Sequence, residues 1–374
     1  MEKAQTLEGV RTDQIEWKQL WSLAALYGSI VIGWIAYHNY QPKLLVQFDY
    51  TQYTGWLIIV QGIILTITPP IAGKFGDRFR FRQGHRIPII SSGISFAAMV
   101  FMALAFTLLS NPTDLLRWIL PLLIVLWLVA MSIFTSPALS TLELFTPIEQ
   151  LPRAMAVLTI VANLIYSLEP VIVDLIDYLG APITFIFGGL AVFISGYALK
   201  KNSLSLFSSG SKPSTEFRFD TQRSNYPYIF LLGVGLGVST TVLFNYFPSV
   251  LSTNLSSLVE WDGKWWLVVV LFFTAVLSLP MSTYIYGWGT RASFWLSLAV
   301  NLFSILILLV TGSTVITILS IAVFTVSFSV LSISSLPLAI ERANYFEKVF
   351  CVGIFFSGVA LPDGILESLQ ALGY

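Results

Sequence analysis

The chain has almost none of the residues from which disulfides and metal sites are built. It contains one cysteine, Cys351, so it cannot form an internal disulfide, and its two histidines are too few for a His-rich metal site. Charged residues make up 11% of the chain, against about a quarter in soluble domains. It also lacks a glycine loop with the phosphate-binding lysine, zinc-ligand spacing and a nucleophile elbow. The sequence therefore predicts neither an enzyme nor a bound cofactor or metal, and it argues against ATP-driven transport.

Apolar residues are abundant instead. They make up 56% of the 374 residues, and the mean hydropathy is +0.78. A helix that crosses a bilayer needs about twenty of them in a row. Eleven such spans are predicted, at residues 20–40, 53–72, 87–109, 116–142, 154–178, 183–199, 228–251, 265–286, 293–311, 314–340 and 349–370. The chain is therefore predicted to be an all-α membrane protein, with the lipid bilayer as a partner and no nucleic acid.

The basic residues sort by side when the N-terminus is placed in the cytoplasm. Only Lys43, Arg117 and Lys264 then fall outside, and the other Lys and Arg residues fall inside. This is the bias found in multi-pass proteins of the cell (inner or plasma) membrane. The mixed-charge segment before the first span predicts that no signal peptide is cleaved.

Residues 200–226 are serine-rich, basic and poor in apolar side chains, which predicts a cytoplasmic linker. It divides the chain into a six-helix half, residues 1–199, and a five-helix half, residues 227–374. The two halves share features in the same order, such as Asn39-Tyr40 near the end of the first span and Asn245-Tyr246 near the end of the seventh. Two parallel repeats of this kind are typical of transporters.

The most charged connection lies between the second and third spans. It reads PPIAGKFGDRFRFRQGHRIPIISSG and contains, in order, Gly73, Asp77, Arg78, Gly84 and Arg86. Its glycines allow sharp turns and a close approach of helix ends, and its carboxylate could face the positive end of a helix. Positive charge packed into a short connection between two apolar spans predicts the cytoplasmic side of the membrane.

This connection resembles the loop G-x-x-x-D-R-x-x-G-R-[RK] of the major facilitator superfamily. The longer spacing D-R-x-x-x-x-x-G-x-R-x-P-x-I-x-x-G resembles the sucrose transporters and the glycoside–pentoside–hexuronide cation symporters. The resemblance implies a bundle of two pseudo-symmetric halves, with Asp77 holding the start of the eleventh span in one state and releasing it in the other. Gly73, Arg78, Gly84 and Arg86 would belong to the same conformational gate. The family has twelve spans, so either its last helix is absent here or the sequence is a shortened form.

The fifth span contains the sharpest candidate for proton coupling, Glu169, directly before Pro170. A carboxyl group at membrane depth is costly when ionised, so it could take up and release a proton. Asn163 and Tyr166 precede it at spacings of three, which places all three on one helical face. They would suit the hydroxyls of a sugar, or they would hydrogen-bond between helices.

The first span contributes Trp34, His38 and Asn39 to the predicted substrate site, and the seventh contributes Asn245 and Tyr246. Trp34 could stack on a sugar face, and His38 titrates near neutral pH. The alternative is that His38 is an interfacial hydrogen-bonding residue.

Glu143, at the end of the fourth span, is the second candidate for proton coupling. The sucrose-transporter branch has an acid here, but alignment on Pro137 and Pro147 puts that acid at Leu144. Glu143 is therefore either a displaced equivalent or an interfacial acid paired with Arg153 or Arg82.

Together, the resemblance and the candidate residues predict a monomeric secondary carrier of a small polar solute. A sugar or glycoside is the expected substrate, and protons are the expected coupling ion. The alternative is a transporter-like membrane scaffold or assembly subunit without transport activity, which the missing twelfth span and the displaced acid favour.

Overall fold

The computed structural model describes residues 14–50, 53–83, 86–110, 119–208 and 223–373. Its regular elements are α-helices with two short 3₁₀ turns. The α-helices are α1 (Trp17–Gln47), α2 (Thr54–Gln83), α3 (Ile87–Leu109), α4 (Ile119–Leu139), α5 (Leu142–Phe145), α6 (Leu151–Ser167), α7 (Glu169–Leu179), α8 (Ala181–Ser208), α9 (Tyr226–Asn245), α10 (Phe247–Asn254), α11 (Gly263–Trp288), α12 (Thr290–Val310), α13 (Thr314–Glu341) and α14 (Lys348–Ala371). Eleven stretches within the described residues are long and apolar enough to cross a membrane, so the predicted all-α membrane fold is confirmed.

The charged connection after the second span is mostly helix, where the sequence predicted a loop. Helix α2 continues through Pro69 and Pro70 and ends at Gln83. Gly73 and Gly76 therefore lie inside a helix, where they allow close packing against α14 rather than a turn. Gly84 lies outside the described residues.

Two predicted spans are broken helices. The fifth is interrupted at Leu168, and the seventh at Tyr246. In both cases a proline, Pro170 or Pro248, occupies the first turn of the second piece, where its missing N–H costs nothing. Glu169 therefore begins helix α7, directly after the one-residue interruption that ends α6.

The predicted linker begins later than expected, because α8 continues to Ser208. Its extra turns pack on α1: the Asn202 side-chain amide donates to the Ser22 hydroxyl at 2.7 Å, and the Gln19 amide donates to the Asn202 carbonyl at 3.2 Å. Residues 209–222 lie outside the described residues.

The N-terminal half, α1 to α8, is built around a buried aromatic core. Trp127 of α4 stacks on Tyr37 of α1 at 4.6 Å between ring centroids, and its edge meets Phe101 of α3 at 5.6 Å. Gly188 and Gly189 let α8 approach Phe101 closely. In the C-terminal half, α9 packs on α14 and α12 packs on α13. We call the end of the bundle that carries Arg80, Arg86 and Lys348 the inner end, and the opposite end the outer end.

The two halves meet mainly where α2 packs along α14 and where α6 packs on α11 and α13. The α2–α14 contact runs from Gly73 against Val349 at the inner end to Gly62 against Gly364 further out. Between these points, Gly353 lies against the backbone of Pro69 and Pro70, so a side chain at Gly353 would collide with main-chain atoms. Glycines therefore set the distance between the halves.

Replacing Gly353 with Leu should destabilise the protein, because the backbone atoms around this glycine cannot move aside. Overpacking of a tight interface costs about 1–3 kcal/mol. Leu is also a better helix former than Gly by roughly 1 kcal/mol. Gly287→Leu controls for that gain, because a Cβ atom added at Gly287 would meet no other part of the protein within 4 Å. Thermal unfolding of the purified protein should show a lower midpoint for Gly353→Leu and an unchanged or higher midpoint for Gly287→Leu. Equal midpoints for the two variants would contradict the tight α2–α14 contact.

Candidate functional site

The inner end of the α2–α14 contact is closed by Asp77. Its carboxylate is 6% exposed and accepts hydrogen bonds from the backbone N–H groups of Val349 and Phe350, at 3.2 and 2.8 Å. These N–H groups belong to the first turn of α14, where they have no partner within the helix and carry the positive end of its dipole. Gly73, one turn earlier on α2, lets the two backbones come this close.

A buried charge network lies beside Asp77. The Arg86 guanidinium is 1% exposed and donates to the carbonyl and the hydroxyl of Ser140, at 2.8 and 3.0 Å. It also forms an ion pair with Glu143, which forms a second ion pair with Lys348 of the C-terminal half. Glu143 therefore connects an arginine of one half to a lysine of the other.

This environment corrects the prediction for Glu143. Its partners are Arg86 and Lys348, whereas the sequence predicted Arg153 or Arg82. In the structure, Arg153 lies over the Trp17 ring, 5.8 Å from its centroid, and Arg82 is exposed. A carboxylate held between two cations favours its charged form, which fits an inter-half ion pair better than a proton carrier.

Arg80 adds a further contact at the inner end. It donates to the Tyr345 carbonyl at 3.0 Å and lies 4.2 Å from the centroid of the Tyr345 ring. Arg78 is exposed on the outside of α2. Of the residues predicted for the gate, the structure therefore brings Gly73, Asp77 and Arg86 together and leaves Arg78 at the surface.

Apolar side chains seal the inner end on the other side of the interface. Ala156 of α6, Ile285 of α11 and Ile333 of α13 form one buried cluster, with Met281 and Val330 packed against it. Polar contacts on one side and apolar contacts on the other thus hold the two halves together at the inner end.

Toward the outer end, a chain of hydrogen bonds crosses between the halves. The Tyr37 hydroxyl donates to the Gln61 side-chain carbonyl at 2.9 Å, and the Gln61 amide donates to the Glu367 carboxylate at 3.3 Å. Gln61 is only 4% exposed. Glu367 lies on α14, so this chain joins α1 and α2 to the other half.

Asp363 lies one turn before Glu367 on α14 and is within electrostatic reach of it. Its carboxylate accepts a hydrogen bond from the Asn245 amide at 3.1 Å and is also within electrostatic reach of His38. His38 belongs to the N-terminal half and is exposed. Because it interacts with Asp363 of the C-terminal half, it lies where the two halves meet.

Residues of the fifth span also lie where the two halves meet. The Tyr166 ring packs edge-on against Phe244 of the C-terminal half, with centroids 5.2 Å apart. Tyr166 is within electrostatic reach of Glu169 and of Asp363. Glu169 also interacts electrostatically with Lys264, at the start of α11. Asn163, one turn before Tyr166, is buried within α6.

Three residues predicted for the substrate site have other surroundings. Asn39 donates to Asp177 at 2.9 Å, beside the exposed Lys43–Asp177 ion pair at the outer end. The bonds from Lys43 and Asn39 lower the pKa of the Asp177 carboxyl group. Tyr246 is 39% exposed at the break between α9 and α10. Trp34 is half-buried, with its ring 5.1 Å from that of Trp127.

The site residues predicted from the sequence did not include Gln61, Glu367 or Lys348. One signal was available: Asp363 and Glu367 are four residues apart in an apolar span, so both lie on one helical face. The partners Gln61 and Tyr37 are some 300 residues away in sequence, and no local pattern connects them. The described residues contain no group of three or more His, Cys, Asp or Glu side chains that could hold a metal ion.

Comparisons with known proteins identify a family and a fold for most of the chain. A family model described as Major Facilitator Superfamily matches residues 20–362. A search of curated proteins finds no match. Among solved structures, the human organic anion transporter MFSD10 (TETRAN) aligns with a TM-score of 0.70 and 11% identity, over 97% of this chain and 95% of that chain.

A bacterial homologue of the iron transporter ferroportin is also similar in fold. In its outward-facing state with soaked iron it aligns with a TM-score of 0.66 and 14% identity, over 96% of this chain and 92% of that one. A second structure of such a bacterial homologue, in the outward-facing state, has a TM-score of 0.61 and 13% identity, over 95% and 98% of the two chains. At these identities the likeness establishes the fold alone.

Proposed function

The chain belongs to the major facilitator superfamily, and from this premise we propose that it is a secondary active transporter that moves a small polar solute by alternating access. The observation that carries the proposal is a group of polar side chains where the two halves meet, which we call the polar space: His38, Tyr166, Glu169, Asp363 and Glu367. Ionisable side chains at membrane depth are costly unless they serve a pathway or a partner. The inner end beneath them is closed by ion pairs and an apolar cluster.

Protons are the coupling ion in this proposal. Asp363 and Glu367 lie one turn apart, and no described lysine or arginine forms an ion pair with either of them. Two neighbouring carboxylates at membrane depth repel each other when both are charged, and a proton on Glu367 relieves this repulsion. The Gln61 amide and the nearby His38 imidazole can accommodate either protonation state.

A sugar or glycoside is the proposed solute class. The phenol of Tyr166, the imidazole of His38 and the amide of Asn245 offer both donors and acceptors for hydroxyl groups. The resemblance of the 69–93 segment to the sucrose transporters and the glycoside symporters supports the same class. Asn39, Tyr246 and Trp34 contribute less to this proposal, because their surroundings lie at the outer surface or in the aromatic core.

The direct test is substrate-dependent proton movement. The full chain would be reconstituted in vesicles with a pH-sensitive dye inside, and a panel of sugars and glycosides would be added outside. At least one solute should acidify or alkalise the lumen while being taken up. Uptake without proton movement would contradict the coupling. No uptake at all, together with purification in a stable complex, would favour the alternative of a non-transporting scaffold.

Glu169→Gln should lower proton-driven accumulation about tenfold, because it removes a titratable carboxyl group at the edge of the polar space and leaves the shape unchanged. Solute exchange without a proton gradient should persist. The matched control is Asp174→Asn, an exposed acid on the same helix α7. If the Glu169→Gln protein accumulates solute as well as the Asp174→Asn protein does, Glu169 has no part in coupling.

A further inference from the structure

A second polar site lies away from the proposed pathway, at the inner end of the C-terminal half. A cavity of about 400 Å³ opens there between the ends of α9, α12 and α13. Its lining includes Arg223, Tyr228, Arg291, Glu341 and Arg342. Three guanidinium groups thus surround one carboxylate, so the cavity carries a net positive charge.

The charge of these arginines is only partly offset within the described residues. Glu341 accepts a hydrogen bond from the Thr290 hydroxyl at 3.0 Å and feels the charge of Arg342. None of the three arginines forms an ion pair in the part of the chain that the structure describes. Planar guanidinium groups bind phosphate oxygens with paired N–H donors, and they do so better than lysines do. The cavity therefore suits a phosphate group.

The cavity is bordered by a tyrosine that is paired with a tryptophan. Tyr228, in its lining, accepts a hydrogen bond at 3.2 Å from the indole N–H of Trp295, which is itself partly exposed. Tryptophan and tyrosine side chains prefer the boundary between lipid and water. Farther along the same two helices, Leu231 of α9 and Phe303 of α12 are exposed and apolar. A polar head bound in the cavity could thus continue into chains that run along α9 and α12.

We propose that this cavity binds the phosphate group of an anionic phospholipid whose acyl chains run along the exposed apolar side chains of α9 and α12. Arg291 and Arg342 hold the phosphate, and Arg223 and Tyr228 border it. The site lies at the membrane boundary and outside the polar space between the halves, so its occupancy is separable from solute binding.

The test is lipid binding to the purified full chain by native mass spectrometry. Phosphatidylglycerol and phosphatidylcholine with the same acyl chains would be titrated into wild type, into R291Q/R342Q and into the control K200A/K201A. The control also removes two positive charges from exposed side chains, at the end of α8 in the other half. Gel filtration checks that each variant is folded. If the double variant does not elute as a single species, R291Q alone replaces it.

Wild type and the K200A/K201A control should retain one phosphatidylglycerol and little phosphatidylcholine. R291Q/R342Q should bind phosphatidylglycerol at least about tenfold more weakly, since each basic residue near an anionic lipid contributes severalfold to binding. A millimolar concentration of inorganic phosphate should not displace the lipid. Equal retention by R291Q/R342Q and the control, equal binding of both lipids, or displacement by free phosphate would overturn the proposal.

Discussion

Glu367→Gln should abolish proton-driven accumulation of the solute. The glutamine side chain has nearly the same shape and can still accept the hydrogen bond from Gln61, but it cannot exchange a proton. With one proton per solute and a gradient of about two pH units, wild type can accumulate solute about a hundredfold, because each unit corresponds to a factor of ten. The variant should therefore lose about a hundredfold in accumulation and come to equal concentrations on both sides.

The measurement compares uptake into vesicles with and without a pH gradient, and exchange between labelled and unlabelled solute. Exchange needs only the conformational change, so it should survive in Glu367→Gln at a comparable rate. Glu149→Gln serves as the control, since it neutralises an exposed acid at the inner end. Undiminished accumulation by Glu367→Gln would show that the coupling proton is bound elsewhere.

Asp77→Ala should open the inner end and slow turnover. The carboxylate makes two hydrogen bonds to backbone N–H groups of α14, and bonds to a charged group contribute about 1.5–3 kcal/mol each. Their loss destabilises only the state with the inner end closed, so the protein should rest with the inner end open. Turnover should fall about tenfold, because the return to the closed state becomes less favourable, while solute affinity should change little.

The reactivity of the single cysteine can be used to measure this opening. Cys351 is buried in α14, two residues after the N–H group of Val349 that Asp77 binds. Its labelling by a maleimide should be at least about tenfold faster in Asp77→Ala than in wild type, because a buried thiol reacts only when it is exposed. Lys74→Ala changes an exposed residue of α2, the helix that contains Asp77, and this variant should be labelled as slowly as wild type. Equal labelling rates in all three proteins would contradict the latch.

Much of the architecture could be predicted because lipid imposes simple rules. Hydrophobic length located all eleven spans, and the third matched the structure at Ile87–Leu109. The errors lay where polar residues continue a helix: α2 extends to Gln83 and α8 to Ser208, beyond the apolar part of each. Charge and serine content suggested loops there, but packing on α14 and α1 keeps these segments helical.

The candidate site was harder to predict, because its contacts join distant parts of the chain. Asp77 and Arg86 were found through a local motif, whereas Lys348 and Gln61 act only through partners across the interface, Glu143 and Glu367. Glu143 shows the same limit, since its sequence neighbours suggested Arg153 or Arg82 as its partner. The rotation of each helix decides which side chains meet, and a one-residue change turns a side chain by about 100°.

The most direct test of the account is the distance between the halves at each end, measured by pulsed electron resonance on spin-labelled pairs in a Cys351→Ser background. Lys200 and Tyr286 mark the inner end, and Gln47 and Ser256 mark the outer end; all four side chains are exposed. Addition of a transported solute at low pH should lengthen the inner distance and shorten the outer one in the same sample. If both distances stay constant, or change in the same direction, the two halves do not rock around a central site and the account is wrong.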